Sequence, residues 1–222
     1  KRNTKISKYL KKNNKKIIIT SDNQEIIDKS NWIFLAITPS VANKILKNLN
    51  FKSNKTIISF ISTIKIKELR KLINNKSLIV RAIPLPPISI MKGPIPLYPK
   101  NKKIKNFFNK IGDSIEIENE MLSLNFWVTS SLMATYYETL HQISIWLNKK
   151  GINKIDSQKY VTSLFLALSD FANLNSFKDL GILVKHSQTP KGLNEQTLKF
   201  LKKKGYYKKL NLSLDKMLKR LR

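Results

Sequence analysis

The residues best placed to do chemistry are few. Thr189-Pro190-Lys191-Gly192-Leu193-Asn194 opens a helical stretch, and a helix start offers unpaired backbone N–H groups and a positive dipole end that attract an anion. The same residues suit a plain helix start, with Thr189 as cap and Pro190 in the first turn. Spacing alone leaves both readings open. The run from Arg81 to Pro94, which includes Pro84-Leu85-Pro86-Pro87, lies between two predicted strands. Proline continues neither a ladder nor a helix, so this is a rigid loop at the carboxyl end of a strand, where open α/β sheets bind ligands. The sequence has no cysteine, and its two histidines, His141 and His186, lie far apart without a carboxylate pattern around them. Thiolate catalysis and disulfides are excluded, and no metal ligands are assigned.

The elements that must position these residues divide the 222-residue chain in two. In the first half short Ile-rich runs predict strands at Ile17–Thr20, Trp32–Ile37, Thr56–Phe60, Ser77–Ala82 and Ile115–Ile117. Helical patterns at Ser40–Leu49, Lys65–Leu72 and Lys102–Ile111 alternate with them. Such alternation gives crossover units and a mostly parallel sheet, and Ile33-Phe34-Leu35-Ala36-Ile37, apolar throughout, fits a strand covered on both faces. Beyond Glu120 the pattern is helical only: one long helix from Met121 to Leu147, then Ser157–Leu174, Phe177–Lys185, Leu193–Lys203 and Leu212–Leu221. Expected domains are therefore residues 1–118, α/β, and 119–222, all-α. Phe126, Trp127, Leu132, Met133, Tyr136, Tyr137, Leu140 and Trp146 nearly encircle the long helix, which calls for burial on several sides and a partner subunit to supply it.

Charge is the most unusual feature of the composition, with 42 Lys+Arg against 14 Asp+Glu, a formal +28. The excess is Lys rather than Arg and is spread along the chain, whereas base and phosphate readers favour the bidentate arginine fork. Lys, Asn and Ile are over-used together, as in Lys11-Lys12-Asn13-Asn14-Lys15-Lys16-Ile17-Ile18-Ile19, the signature of low-GC coding on solvated faces. A nucleic-acid partner is not expected. With no long uncharged apolar window, a membrane partner is not expected either.

Several motifs then fall in a shared order: Thr20-Ser21-Asp22-Asn23 before a short helix, Phe34-Leu35-Ala36-Ile37-Thr38-Pro39-Ser40, Ile57-Ile58-Ser59-Phe60-Ile61-Ser62, Arg81-Ala82-Ile83-Pro84-Leu85-Pro86-Pro87, and Thr189–Asn194. In this order and spacing the chain resembles the pyrroline-5-carboxylate reductase family from about Arg2 to its C-terminus. The resemblance implies a Rossmann-type domain followed by a helical dimerisation domain, and NADPH- or NADH-dependent reduction of a cyclic imine, as in the last step of proline synthesis. It also implies a cytoplasmic homodimer or higher homo-oligomer. The family's first strand and Gly-rich turn have no counterpart here, so the chain reads as a fragment with an incomplete Rossmann-type sheet.

On the matching positions, the resemblance assigns the cofactor to Arg2, as a cation for the adenosine 2′-phosphate, and to Asn23, Ala36, Ile37, Thr38, Pro39, Ile61 and Ser62. It assigns a substrate carboxylate to Thr189, Lys191, Gly192 and Asn194. For the proton, Ser131, Thr135 and Tyr137 are the candidates, with water as a further source, and no choice among them follows. The chain departs from the family pattern in four places. Thr38 stands for a Lys and Leu85 for an Asn; Lys191, Leu193 and Asn194 replace a glycine and two threonines; Leu132 and Ala134 replace two glycines. The pocket is expected to be more apolar than in a proline-forming reductase, and a different imine, or a binding protein without reductase activity, is the alternative.

Overall fold

A computed structural model of the chain describes residues 3–73 and 76–221. They form two compact units, one ending at Trp127 and the other beginning at Val128. The first opens with helices α1 (Thr4–Asn13) and α2 (Asn23–Lys29). A five-stranded sheet follows, in the order β1 (Trp32–Leu35), β2 (Thr56–Ser59), β3 (Leu78–Ala82), β4 (Pro94–Tyr98), β5 (Asp113–Glu116). Strands β1, β2 and β3 are parallel, joined through α3 (Pro39–Leu46) and α4 (Ile66–Ile73); β4 runs antiparallel to β3; β5, reached through α5 (Lys102–Phe108), is parallel to β4. The register sets Leu35, Ser59 and Arg81 level with one another, so the three parallel strands end on one edge.

Successive strand residues point to opposite faces, and the central residues of β2 and β3 are buried on both. Ile57 and Ile79 face a core shared with Leu46, Leu69 and Ile73, whereas Ile58 and Val80 face one shared with Ile95, Leu97, Ile104 and Phe108. Strand β1 is different. Ile33 and Leu35 are buried, but Phe34 is 39% exposed, within an aromatic group of Trp32, Phe60 and Phe107. The expected cover on both faces is thus present for β2 and β3 and incomplete for β1.

Three further expectations are corrected. Ile17–Thr20 is not a strand, because it has no ladder partner among the described residues, and Ile18 is 84% exposed. The rigid loop expected from Arg81 to Pro94 contains a 3-10 turn at Pro86–Ile90 and ends at Gly93, where β4, concealed by its prolines, begins. Gly93 and Leu97 accept the amide hydrogens of Asp113, in β5, and Ile117, just past it, so the nitrogens of Pro94 and Pro96 aim toward β3. There the pairing is confined to Leu97 and Tyr98, and the missing N–H groups remove no ladder bond. The predicted long helix is instead a 3-10 turn (Glu120–Leu122), α6 (Ser123–Ser130) and α7 (Met133–Lys149). At the break, Ser131 and Leu132 make short bonds to the Val128 and Thr129 carbonyls, and the Ser131 hydroxyl also donates to Val128. That local competition for carbonyls interrupts the ladder.

In the second unit α7 and α8 (Lys154–Leu174) pack together, followed by α9 (Leu180–His186), α10 (Leu193–Lys203) and α11 (Tyr206–Leu221). Gly151 (φ 96°) ends α7. Its amide and that of Ile152 bond to the Asn148 and Leu147 carbonyls, a paired cap that needs a left-handed residue. Asn153 then caps α8 through the Asp156 amide.

Two stability outcomes follow. Ile57→Ala, at a fully buried site, is expected to cost about 2–5 kcal/mol. Gly151→Ala, with free space around the added Cβ, is expected to cost only the backbone strain, about 1–2 kcal/mol. Urea unfolding midpoints check both.

Candidate functional site

The carboxyl edge of β1–β3 carries most of the residues assigned to a cofactor. Ala36 and Ile37 continue β1, and Thr38 becomes the N-cap of α3 with Pro39 in its first turn. No side chain caps this helix; the Thr38 hydroxyl instead lies 3.1 Å from the Ser40 hydroxyl. Pro39 has no N–H and the Val41 amide donates to the Thr38 carbonyl, so this helix start presents the Ser40 amide and two hydroxyls, which suits a ribose or one phosphate oxygen. Asn23 begins α2, whose cap is Asp22. It borders, with Ile26, Phe34, Ala36 and Ile37, an apolar cleft of about 100 Å³ between α2, β1 and α3. That volume admits one small ring and not a whole dinucleotide.

Ile61 and Ser62 follow β2 in different ways. The Ile61 side chain is 1% exposed in the core, so only its backbone can meet a ligand, while Ser62 is half-buried. The structure therefore brings Asn23, Ala36 and Ile37 around one cleft, with Thr38 and Pro39 starting the adjoining helix and Ser62 at the end of the next strand. Arg2 lies outside the described residues.

Sequence reasoning missed the group that organises this edge. Arg81, on β3, is 3% exposed. Its Nη1 donates to Glu120 Oε1 at 2.6 Å, its Nη2 donates to the Ser62 carbonyl at 2.5 Å, and its guanidinium lies 4.5 Å from the Trp127 ring centroid. The same Glu120 oxygen accepts the Ile66 amide at 2.8 Å, at the start of α4. Burial presses the Arg81 pKa below its ordinary value, opposed by the hydrogen bond and charge of Glu120. The available signal was a lone arginine closing the aliphatic run Leu78-Ile79-Val80, since a charge there must be paired.

In the second unit the loop before α10 is neither an open anion site nor a threonine cap. Gly192 is the N-cap, and its amide donates to the Thr189 carbonyl at 2.8 Å. Lys191 holds φ 62°, the left-handed conformation expected of glycine. Its amide donates to the Glu195 carboxylate at 2.6 Å, while Asn194 Nδ2 donates to the Ser187 carbonyl at 2.9 Å. Glu195 is also paired with Lys199 at 2.6 Å, and Lys199, then the Lys191 amide, hold its carboxyl below the ordinary range. A carboxylate of the chain itself thus sits where an anionic ligand would dock.

The three proton candidates do not converge. Ser131 spends its hydroxyl hydrogen on the Val128 carbonyl at 2.6 Å. Thr135 and Tyr137, two residues apart on α7, project from different sides of the helix. Tyr137 is exposed, with its ring 5.7 Å from that of Tyr136. No group of three or more His, Asp or Glu able to hold a metal occurs among the described residues. No helix among the described residues is long and apolar enough to cross a membrane.

Residues 1–63 match the family model described as NADP oxidoreductase, coenzyme F420-dependent. No curated protein matches the chain. Among solved structures, pyrroline-5-carboxylate reductase from Streptococcus pyogenes is 20% identical, with a TM-score of 0.82 over 99% of this chain and 86% of that one. The Coxiella burnetii enzyme is 19% identical, with a TM-score of 0.84 over 99% and 85% of the two chains. The Plasmodium falciparum pyrroline carboxylate reductase, solved with NADP bound, is 19% identical, with a TM-score of 0.78 over 91% and 80%. These likenesses, nearly complete over the chain, establish that it has the fold of the pyrroline-5-carboxylate reductases.

Proposed function

We propose that the chain is an NAD(P)H-dependent reductase of a cyclic imine, acting on pyrroline-5-carboxylate to give proline. The observation that carries this reading is the level ending of β1, β2 and β3 beneath the uncapped start of α3, in a fold shared with an NADP-bound reductase. The family match over residues 1–63 supports the same cofactor. NADPH supplies the hydride when bound. The chain's part is to hold it: the Ser40 amide with the Thr38 and Ser40 hydroxyls for a phosphate or ribose, Pro39 fixing the helix entry, Asn23, Ala36 and Ile37 for an apolar ring, and the backbone of Ile61 and Ser62 along the edge. Arg2 is proposed to pair with the 2′-phosphate. The division at Trp127 fits a nucleotide unit and a helical unit that carries Thr189, Lys191, Gly192 and Asn194 for the substrate.

A homodimer is part of the proposal. Helix α8 buries Ser157 and Val161 and leaves Leu166, Leu168, Phe171 and Leu174 more than half exposed. An apolar groove of about 650 Å³ between α8 and α9 adds to that face. Exposed surface of this kind calls for a partner. We place the dimer in the cytoplasm.

A second reading is favoured by one contact. With Glu195 bonded to the Lys191 amide, a substrate carboxylate meets like charge, and Leu85 and Leu132 add apolar surface. An imine without a carboxylate would suit this loop better.

Absorbance-monitored NADPH oxidation, with pyrroline-5-carboxylate and with 1-pyrroline, separates the readings. Turnover of the acid that falls on Asn194→Ala supports the first, turnover of 1-pyrroline alone supports the second, and no dinucleotide binding by calorimetry overturns both. Arg2→Ala is expected to raise the NADPH KM about tenfold, the loss of about 1.4 kcal/mol, and to leave the NADH KM unchanged. Light scattering on the purified chain is expected to give twice 25.7 kDa; a monomer overturns the dimer.

A further inference from the structure

We infer that Arg81 is a positioning residue of the dinucleotide site, fixing the turn between β2 and α4 without touching the cofactor; this rests on the reading that NADPH binds at the carboxyl edge of the sheet. The turn has two pinned ends. At one, Arg81 Nη2 donates to the Ser62 carbonyl; at the other, the Ile66 amide donates to Glu120 Oε1, which also accepts from Arg81 Nη1. A single buried ion pair therefore sets the positions of residues 62 and 66. Nearer β2, the Ile61 amide is held by the Ser59 hydroxyl at 3.2 Å. Ser59 is level with Arg81 in the β2–β3 register, so the clamp stands directly beside the strand end it controls.

Three observations make this positioning rather than binding. Both terminal nitrogens of Arg81 are engaged, Trp127 stacks on the guanidinium, and 3% exposure leaves no surface for a ligand. The residues it holds are those that can meet one: Ser62 is half-exposed at the edge, next to the backbone of Ile61. The work needs a planar fork. Lysine keeps the charge, but its single ammonium cannot reproduce two divergent bonds and a stacked plane.

The test compares the unmutated chain with Arg81→Lys and Glu120→Gln, which keeps an oxygen acceptor for both donors. Hydrogen exchange without ligand reads the turn, and calorimetric NADPH titration reads the site. Arg81→Lys is expected to speed amide exchange at residues 61–66 about tenfold and to raise the NADPH Kd about tenfold, with Glu120→Gln at about threefold or less in both. Unchanged exchange overturns the inference, as does faster exchange with the NADPH Kd of the unmutated chain, the result for an arginine that serves stability alone. If Arg81→Lys fails to fold, Glu120→Ala, which removes the acceptor of both Arg81 Nη1 and the Ile66 amide, decides by the same two readouts, with the same tenfold changes expected. An unmutated chain that binds no NADPH overturns the cofactor reading, and this inference with it, from the wild-type arm alone.

Discussion

A guanidinium inside an otherwise aliphatic sheet constrains everything around it. Burying a charge costs several kcal/mol unless it is paired and its donors are filled, and Arg81 lies on a strand whose neighbours Ile79, Val80 and Ala82 are all fully or almost fully buried. Its acceptors must come from elsewhere in the chain. One is the Ser62 carbonyl across the sheet edge; the other is Glu120, 39 residues later. Bringing Glu120 there requires the chain leaving β5 to return to the edge where the parallel strands end, and the start of α6, with Trp127, follows it. The placement of β3, the turn before α4 and the first turns of α6 are thus one problem with one solution.

The parts of this fold that were legible in the sequence are those set by local chemistry. Strands β2 and β3 were evident because Ile57-Ile58 and Ile79-Val80 are buried on both faces, and α10 because Gly192 precedes a periodic apolar pattern. Where tertiary context decides, the sequence misled. Ile17–Thr20 has the residues of a strand, but a strand exists only beside another. Ser131 and Leu132 contain neither glycine nor proline, so nothing flagged the break between α6 and α7. The Arg81–Glu120 pair spans a separation over which a single sequence carries no signal beyond the oddity of each residue.

The candidate site repeats this division. Helix starts near Thr38 and Gly192 were readable from the apolar periodicity of Ser40–Leu49 and Leu193–Lys203, whereas the cap read at Thr189 was not, since Gly192 is the N-cap and no side chain caps either helix. Nor was the direction of the donors. Lys191 takes a left-handed backbone shape that favours glycine, yet its amide is committed to Glu195, four residues on, a contact that depends on rotamer and charge together. The backbone shape of the loop and the direction of its donors are thus set separately, and only the first is a matter of residue type along the chain.

Strand β4 carries a consequence of its own. Pro94 and Pro96 alternate with Ile95 and Leu97; Ile95 and Leu97 are fully buried, Pro96 is buried between them and Pro94 is exposed. Sliding β4 by one residue against β5 would turn both prolines toward the neighbour that takes its amides and carbonyls, removing ladder bonds while sending Ile95 and Leu97 to the wrong face. The prolines thus act as a ratchet on alignment: they contribute no bond in the correct register and forbid those next to it. A strand of five residues, too short to define its alignment by length, is defined instead by the donors it lacks.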